Sequence, residues 1–159
     1  MARDPIGPAR GGGVSLLLPR DVRATITSVA RGLLQLYESE SAADDPAVAR
    51  LSPTAYPDDP LANIRFDGSV GDELRRGRLD AIAVVERTSD ATRLTADEAQ
   101  AWLRTLNDAR LVLGTRLNVT EETGEGDFAA DPAAADSYET YVVLSVVVEM
   151  FVRALEPTG

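Results

Sequence analysis

The chain has no cysteine, no histidine and no lysine, and each absence removes a class of function. Without cysteine there is no disulfide, no thiolate nucleophile, no Cys-ligated zinc and no thiol redox sensor. Without histidine the usual general base near neutral pH and the commonest metal ligand are missing. Aromatic residues make up only 5% of a 44% apolar composition, so the core is expected from Leu, Val and Ala, which suits helix packing. Long apolar runs are scarce as well. The most apolar stretch, Tyr141 to Val152, carries Glu149 and falls well short of the roughly 20 residues needed to span a bilayer. The N-terminus, MARDPIGPARGGG, has no apolar segment of the kind a signal peptide needs, and a cytoplasmic protein is expected. No metal or cofactor is expected either.

What is present is acid. All 16 basic residues are arginine, set against 26 Asp and Glu, for a net charge of −10. Such a field repels phosphate backbones at long range, so direct nucleic-acid binding is not expected. A length of 159 residues allows one domain with a substantial core.

The stretch Leu94 to Val119 is predicted to be the central helix. Thr95 and Glu98 form a capping box, and Ala99, Trp102, Leu106, Ala109, Leu113 and Leu117 fall on one face at helical spacing. Leu111 points nearly opposite, which predicts cover on more than one side. Met1 to Gly13, rich in Pro and Gly and without periodicity, reads as a disordered tail, followed by a helical domain over 14–156. Val14 to Leu18 reads as a possible short strand. From Pro19 to Glu38, Val22, Ile26, Val29, Leu33 and Leu36 predict the first long helix. The acidic connection from Glu38 to Asp67 contains Asp45-Pro46 and Asp59-Pro60, each a helix-start signal, and predicts two short helices. Its Asp44, Asp45, Asp58 and Asp59 read as solvated caps, since no calcium-loop pattern is present. Ser69 to Thr88 predicts another helix, weakened at Gly77. Asp131-Pro132 opens the terminal helix, on which Tyr138, Tyr141, Leu144, Val148, Val152 and Leu155 share a face while Val143, Val146, Val147 and Met150 make the opposite face apolar too. The fold expected is mainly α, a single-domain helical bundle.

Candidate sites are few. Arg75, Arg76 and Arg78 are the basic concentration along the chain and are candidates to meet an acidic partner or a phosphate, the alternative being an exposed face paired with Asp72, Glu73 and Asp80. Asn107 and Arg110, with Gly114 on the same flank of the central helix, form a second candidate partner surface. Val143, Val147 and Met150 are the candidate homodimer contact, because the terminal helix is apolar all round. No pair of acids is placed to separate its pKa values for catalysis, and an enzyme is not expected.

The run LTADEAQAWLRTLNDARLVLGTRLNVTEE resembles the signature of a family of small actinomycete proteins encoded beside the ClpS adaptor. DPAVARLSPTAYPDD, ELRRGRLDAIAVVERT and YETYVVLSVVVEMFVRAL agree with it, so the resemblance spans Val14 to Leu155. It implies a transcriptional regulator of the oxidative-stress response, working through protein contacts with RNA polymerase and its sigma factor. The cysteine pair that such regulators use as a sensor has no counterpart here, and no catalytic residue is implied. The gene neighbourhood suggests an alternative, an accessory to Clp-type proteolysis with Clp components as partners. A small-molecule-binding protein is the third expectation, and it requires a pocket with convergent polar groups.

Overall fold

The computed structural model describes residues 4–38 and 60–156. Four helices carry the chain: α1 (Arg20–Glu38), α2 (Pro60–Arg87), α3 (Ala96–Arg116) and α4 (Pro132–Leu155). A small antiparallel sheet of order β1-β2-β3 joins them, built from Ile6–Pro8, Val14–Leu16 and Arg93–Leu94. The chain is mainly α, with α3 packed against each of the other three helices.

The central helix starts where its capping box predicts. The Glu98 amide donates to Thr95 Oγ1 at 3.1 Å, and the Thr95 amide donates to Glu98 Oε1 at 2.9 Å. Two of the orphan amides of the first turn are thereby satisfied. Ala99, Trp102, Leu106 and Ala109 are buried as the stripe requires. The second covered side of α3 differs from the expectation: Thr105, Asp108 and Val112 are buried, whereas Leu111 faces solvent at 39% exposure. Trp102 anchors the core, its indole Nε1 donating to Thr88 Oγ1 at 2.7 Å and its ring 5.9 Å from that of Phe151. That bond gives the indole N–H the partner it needs when buried.

The N-terminal stretch corrects the expectation of a disordered tail. Ile6–Pro8 pairs with β2 in the register Ile6↔Leu16, and Ile6 is buried in the core. The glycines that suggest disorder make the hairpin turn instead. Gly11 and Gly12 sit at φ 80° and 85°, a backbone region in which L side chains clash. Gly13 lies flush against the Leu94 carbonyl, where a Cβ would overlap the backbone. The expected strand is present over Val14–Leu16, pairing on its other edge with β3, and β1 packs on α4.

Helix α2 corrects a second expectation. Instead of a short helix at Pro60 and a separate one from Ser69, a single helix runs from Pro60 to Arg87. Gly77 costs about 1 kcal/mol against Ala in a helix interior, but burial of Ile82 and Val85 stabilises by roughly 1.5–3 kcal/mol each. No proline interrupts the ladder after Pro60. The short helix expected at Asp45-Pro46, and the carboxylates Asp44, Asp45, Asp58 and Asp59, lie outside the described residues.

On α4, Asp131 Oδ1 accepts from the amides of Ala133 and Ala134, with Pro132 in the first turn, as the helix-start signal predicts. The buried face is Leu144, Val147, Val148, Phe151 and Ala154. The candidate dimer contact is therefore displaced: Val147 is core, and Val143 and Met150 pack against that same core. The valines left outward are Val142, Val146 and Val152, the last of which the periodicity places inside. A 24-residue helix apolar on two sides offers two stripes, and packing against β1 and α3 buries a face that takes Leu144 and Val148 from one and Val147 from the other.

Candidate functional site

The two site candidates from sequence are tied into the fold. Steps of 100° along α2 set Arg76 and Arg78 some 200° apart about the helix axis, so the three arginines cannot share one face. Arg75 donates from Nη2 to the Tyr37 carbonyl at 3.0 Å, covering one of the orphan carbonyls at the C-terminal end of α1. Arg78 turns inward and pairs with Asp108 of α3, Nε to Oδ2 at 3.4 Å, with both side chains about 90% buried. Arg76 alone remains a plain surface residue.

Around that pair lies a polar cluster. Burial pushes the Asp108 carboxyl above the ordinary carboxylate range, and the charges of Arg78 and Arg104 pull it partly back. Tyr37, from the end of α1, reaches the same cluster; burial and the neighbouring Asp108 carboxylate raise its phenol well above the usual value. The Arg104 guanidinium occupies the space that the absent side chain of Gly77 leaves. The Arg78–Asp108 pair joins α2 to α3, and the Arg75 bond to the Tyr37 carbonyl adds α1.

The Asn107 flank is also internal in its bonding. Arg110 Nη2 donates to Asn107 Oδ1 at 2.6 Å, rather than meeting Asp108 or Glu149. Glu149 is bound by Arg153, one turn along α4. Gly114 does permit a close approach, but the group that approaches is Tyr141 of α4, whose Cε2 lies 3.1 Å from where a Cβ would stand.

A cleft of about 630 Å³ lies elsewhere, along the outer side of α1. Arg20, Arg23 and Arg31 line it, with Thr27, Ser28 and Gln35 between them and Ser89 and Asp90 closing one wall. Arg23 is held rigid by three backbone carbonyls, donating from Nε to Leu18 O at 3.1 Å, from Nη1 to Ser89 O at 2.8 Å and from Nη2 to Leu16 O at 2.7 Å. Arg20 and Arg31 are exposed. Among the described residues none of the three makes an ion pair. The cleft therefore sets three guanidiniums against one carboxylate, Asp90, in a chain of net charge −10. Arg20 occupies the first turn of α1, where the helix dipole disfavours a cation by about 0.3–1 kcal/mol.

Sequence reading along the chain misses this cleft. Its signal is the spacing of Arg20, Thr27, Arg31 and Gln35, a polar stripe at helical period, interrupted by Ala24, on the flank away from Ile26, Ala30 and Leu33. The forked guanidinium donors of this lining suit recognition of anions. Among the described residues no group of His, Cys, Asp or Glu is arranged to hold a metal ion, and no helix is long and apolar enough to cross a membrane.

Residues 4–155 match the family described as Domain of unknown function (DUF2017). The chain belongs to that family. No curated protein and no solved structure matches it. The match to DUF2017 takes in both β1 and the last turn of α4, so the hairpin at the N-terminus is part of the family's domain.

Proposed function

We propose that this DUF2017 chain is a regulatory protein-interaction module that binds an acidic surface of a protein partner through the arginine cleft of α1. The observation that carries the reading is the set of guanidiniums that make no ion pair among the described residues, Arg20, Arg23 and Arg31, in a strongly acidic chain. Buried arginines elsewhere in the fold have partners, as Arg78 does in Asp108. A charge left without a partner inside one chain is available to a second one, where complementarity sets orientation and speeds encounter. The resemblance of LTADEAQAWLRTLNDARLVLGTRLNVTEE and its companion stretches supports transcription as the setting, with RNA polymerase or its sigma factor as partner. Net charge supports contact with a DNA-bound protein rather than with DNA.

The test uses purified RNA polymerase holoenzyme, free sigma factor and Clp components in parallel, with wild type and an Arg20→Glu/Arg31→Glu variant. The expected result is saturable binding to holoenzyme or sigma factor that the variant loses and that peroxide does not alter, with no shift of promoter DNA by the chain alone. Charge-sensitive binding to Clp components only would move the chain to the proteolysis setting. Binding unaffected by charge reversal, or tight sequence-selective DNA binding by the isolated chain, would overturn the proposal.

A further inference from the structure

On the other flank of α1 an apolar groove of about 160 Å³ separates it from α3, walled by Val29, Leu33 and Leu36 on one side and Val112 and Leu113 on the other. Gly32 lines both this groove and the arginine cleft. It is the point at which the two cavities meet across the solvent-facing crest of α1. Among the described residues a Cβ placed at Gly32 would meet nothing within 4 Å, and its backbone needs no positive φ. Packing in the fold therefore does not require glycine there, and glycine in a helix interior is unfavourable compared with almost any other residue. Its effect is to keep the crest low between a basic cavity and an apolar one.

We infer that α1 is the dock for an amphipathic, acidic α-helix of a partner protein, which crosses α1 over Gly32. Its carboxylates lie over Arg20 and Arg31, and its apolar edge enters the groove beside Leu33 and Leu36. This rests on the reading of the arginine cleft as a partner-binding face and adds the partner's shape and its apolar half. Charge complementarity selects acid, since among the described residues Asp90 is the one carboxylate lining the cleft beside Arg20, Arg23 and Arg31. The adjoining groove selects amphipathicity, because its lining, apolar but for Arg116, can bury apolar side chains that a phosphate backbone or a purely acidic coil lacks. The helical form follows from the surface itself: α1 presents no unpaired strand edge for an extended peptide to join, whereas a ridge with a low crest accepts a crossing helix. Arg20 and Arg31 are eleven residues apart along α1, a span of about 16 Å, or three turns of the incoming helix.

The probe is a fluorescein-labelled synthetic peptide of about 18 residues, five turns at 3.6 residues each, with leucines on one face and glutamates on the flank beside it. Binding is read by anisotropy at physiological salt. Two controls accompany it, a twin with lysine for glutamate and a scrambled peptide of the same composition. Wild type is expected to bind the acidic amphipathic peptide, and to bind each control at least about 10-fold more weakly. Gly32→Leu is the deciding variant: its thermal midpoint is expected to rise, since helix propensity improves in open space, while its affinity falls by at least about 10-fold. A more stable protein that has lost binding cannot be explained by misfolding. No binding by wild type, equal binding of either control, or unchanged affinity in Gly32→Leu would overturn the inference. If Gly32→Leu is silent for both peptide and polymerase while Arg20→Glu/Arg31→Glu abolishes polymerase binding, the crossing helix is refuted and the arginine-cleft reading stands. If charge reversal is silent as well, both fall.

Discussion

Arginines occupy two regions of this molecule on opposite terms. At the junction of α1, α2 and α3, Arg78 is sunk against Asp108, and Arg75 covers the end of α1. Along the outer side of α1, Arg20 and Arg31 stand in an open cleft and, among the described residues, make no ion pair, beside an Arg23 that three backbone carbonyls hold. Arg75, Arg76 and Arg78 are contiguous in sequence, yet Arg75 and Arg78 turn to the junction while Arg76 stays on the surface. Arg20 and Arg31 are eleven residues apart in sequence and line one cleft. Proximity along a chain is thus a poor guide to a binding surface on a helix, because 100° per residue scatters neighbours and gathers every third and fourth position. The difference also separates residues that hold the fold from residues that the fold holds out to solvent.

The largest expected effect tests the buried side. Arg78→Ala leaves the Asp108 carboxylate without its principal counter-charge in a site about 90% buried, and a loss of about 3–5 kcal/mol is expected from equilibrium urea unfolding. A loss below about 1 kcal/mol, the range of exposed pairs, would show that the pair is a surface feature and would remove the contrast between the two regions.

The pH dependence sharpens the same point. Because burial raises the Asp108 pKa in the folded chain, its contribution favours folding below the unfolded value, near 3.9, and is lost as pH rises through the folded value. Wild type should therefore gain stability relative to Asp108→Asn as pH falls from 7 toward about 4. Thermal midpoints of the two proteins across that window measure the difference. A relative loss on acidification would mean that attraction to Arg78 outweighs the cost of burial.

The fold was legible where a local rule settles it. The Thr95-Glu98 capping box, the Asp131-Pro132 start and the Ile26 to Leu33 periodicity each depend on residues within a few positions of one another. What escaped depends on distant chain. β1 has three residues and no period of its own, and it exists because β2 pairs with it and α4 covers it. The Gly11 and Gly12 turn looks like a tail until its positive φ angles are seen. The arginine cleft needs Ser89 and Asp90 from the turn after α2 to become concave, and the Arg23 to Ser89 bond that fixes it joins residues 66 apart in sequence. No local window contains both walls.

Smaller effects are expected on the exposed side. Arg20→Ala and Arg31→Ala should each lie within about 0.5 kcal/mol of wild type in urea unfolding, with Arg20→Ala on the stabilising side because it removes a cation from the first turn of α1. Gly32→Ala should stabilise by up to about 1 kcal/mol. Destabilisation by more than about 1 kcal/mol in either arginine variant would assign the cleft to the fold rather than to a partner.

The most direct measurement compares the two arginine groups as ligands of one partner. Affinity for the polymerase or sigma-factor preparation is measured for wild type, Arg20→Glu/Arg31→Glu and Arg75→Glu/Arg76→Glu, each first shown to be folded by its thermal midpoint. The account predicts that reversal in the α1 cleft lowers affinity by at least about 10-fold, whereas reversal on α2 leaves it within about 2-fold of wild type. Loss of binding on α2 reversal with the cleft variant unaffected would contradict it, and would return the partner surface to the cluster that is contiguous in the sequence.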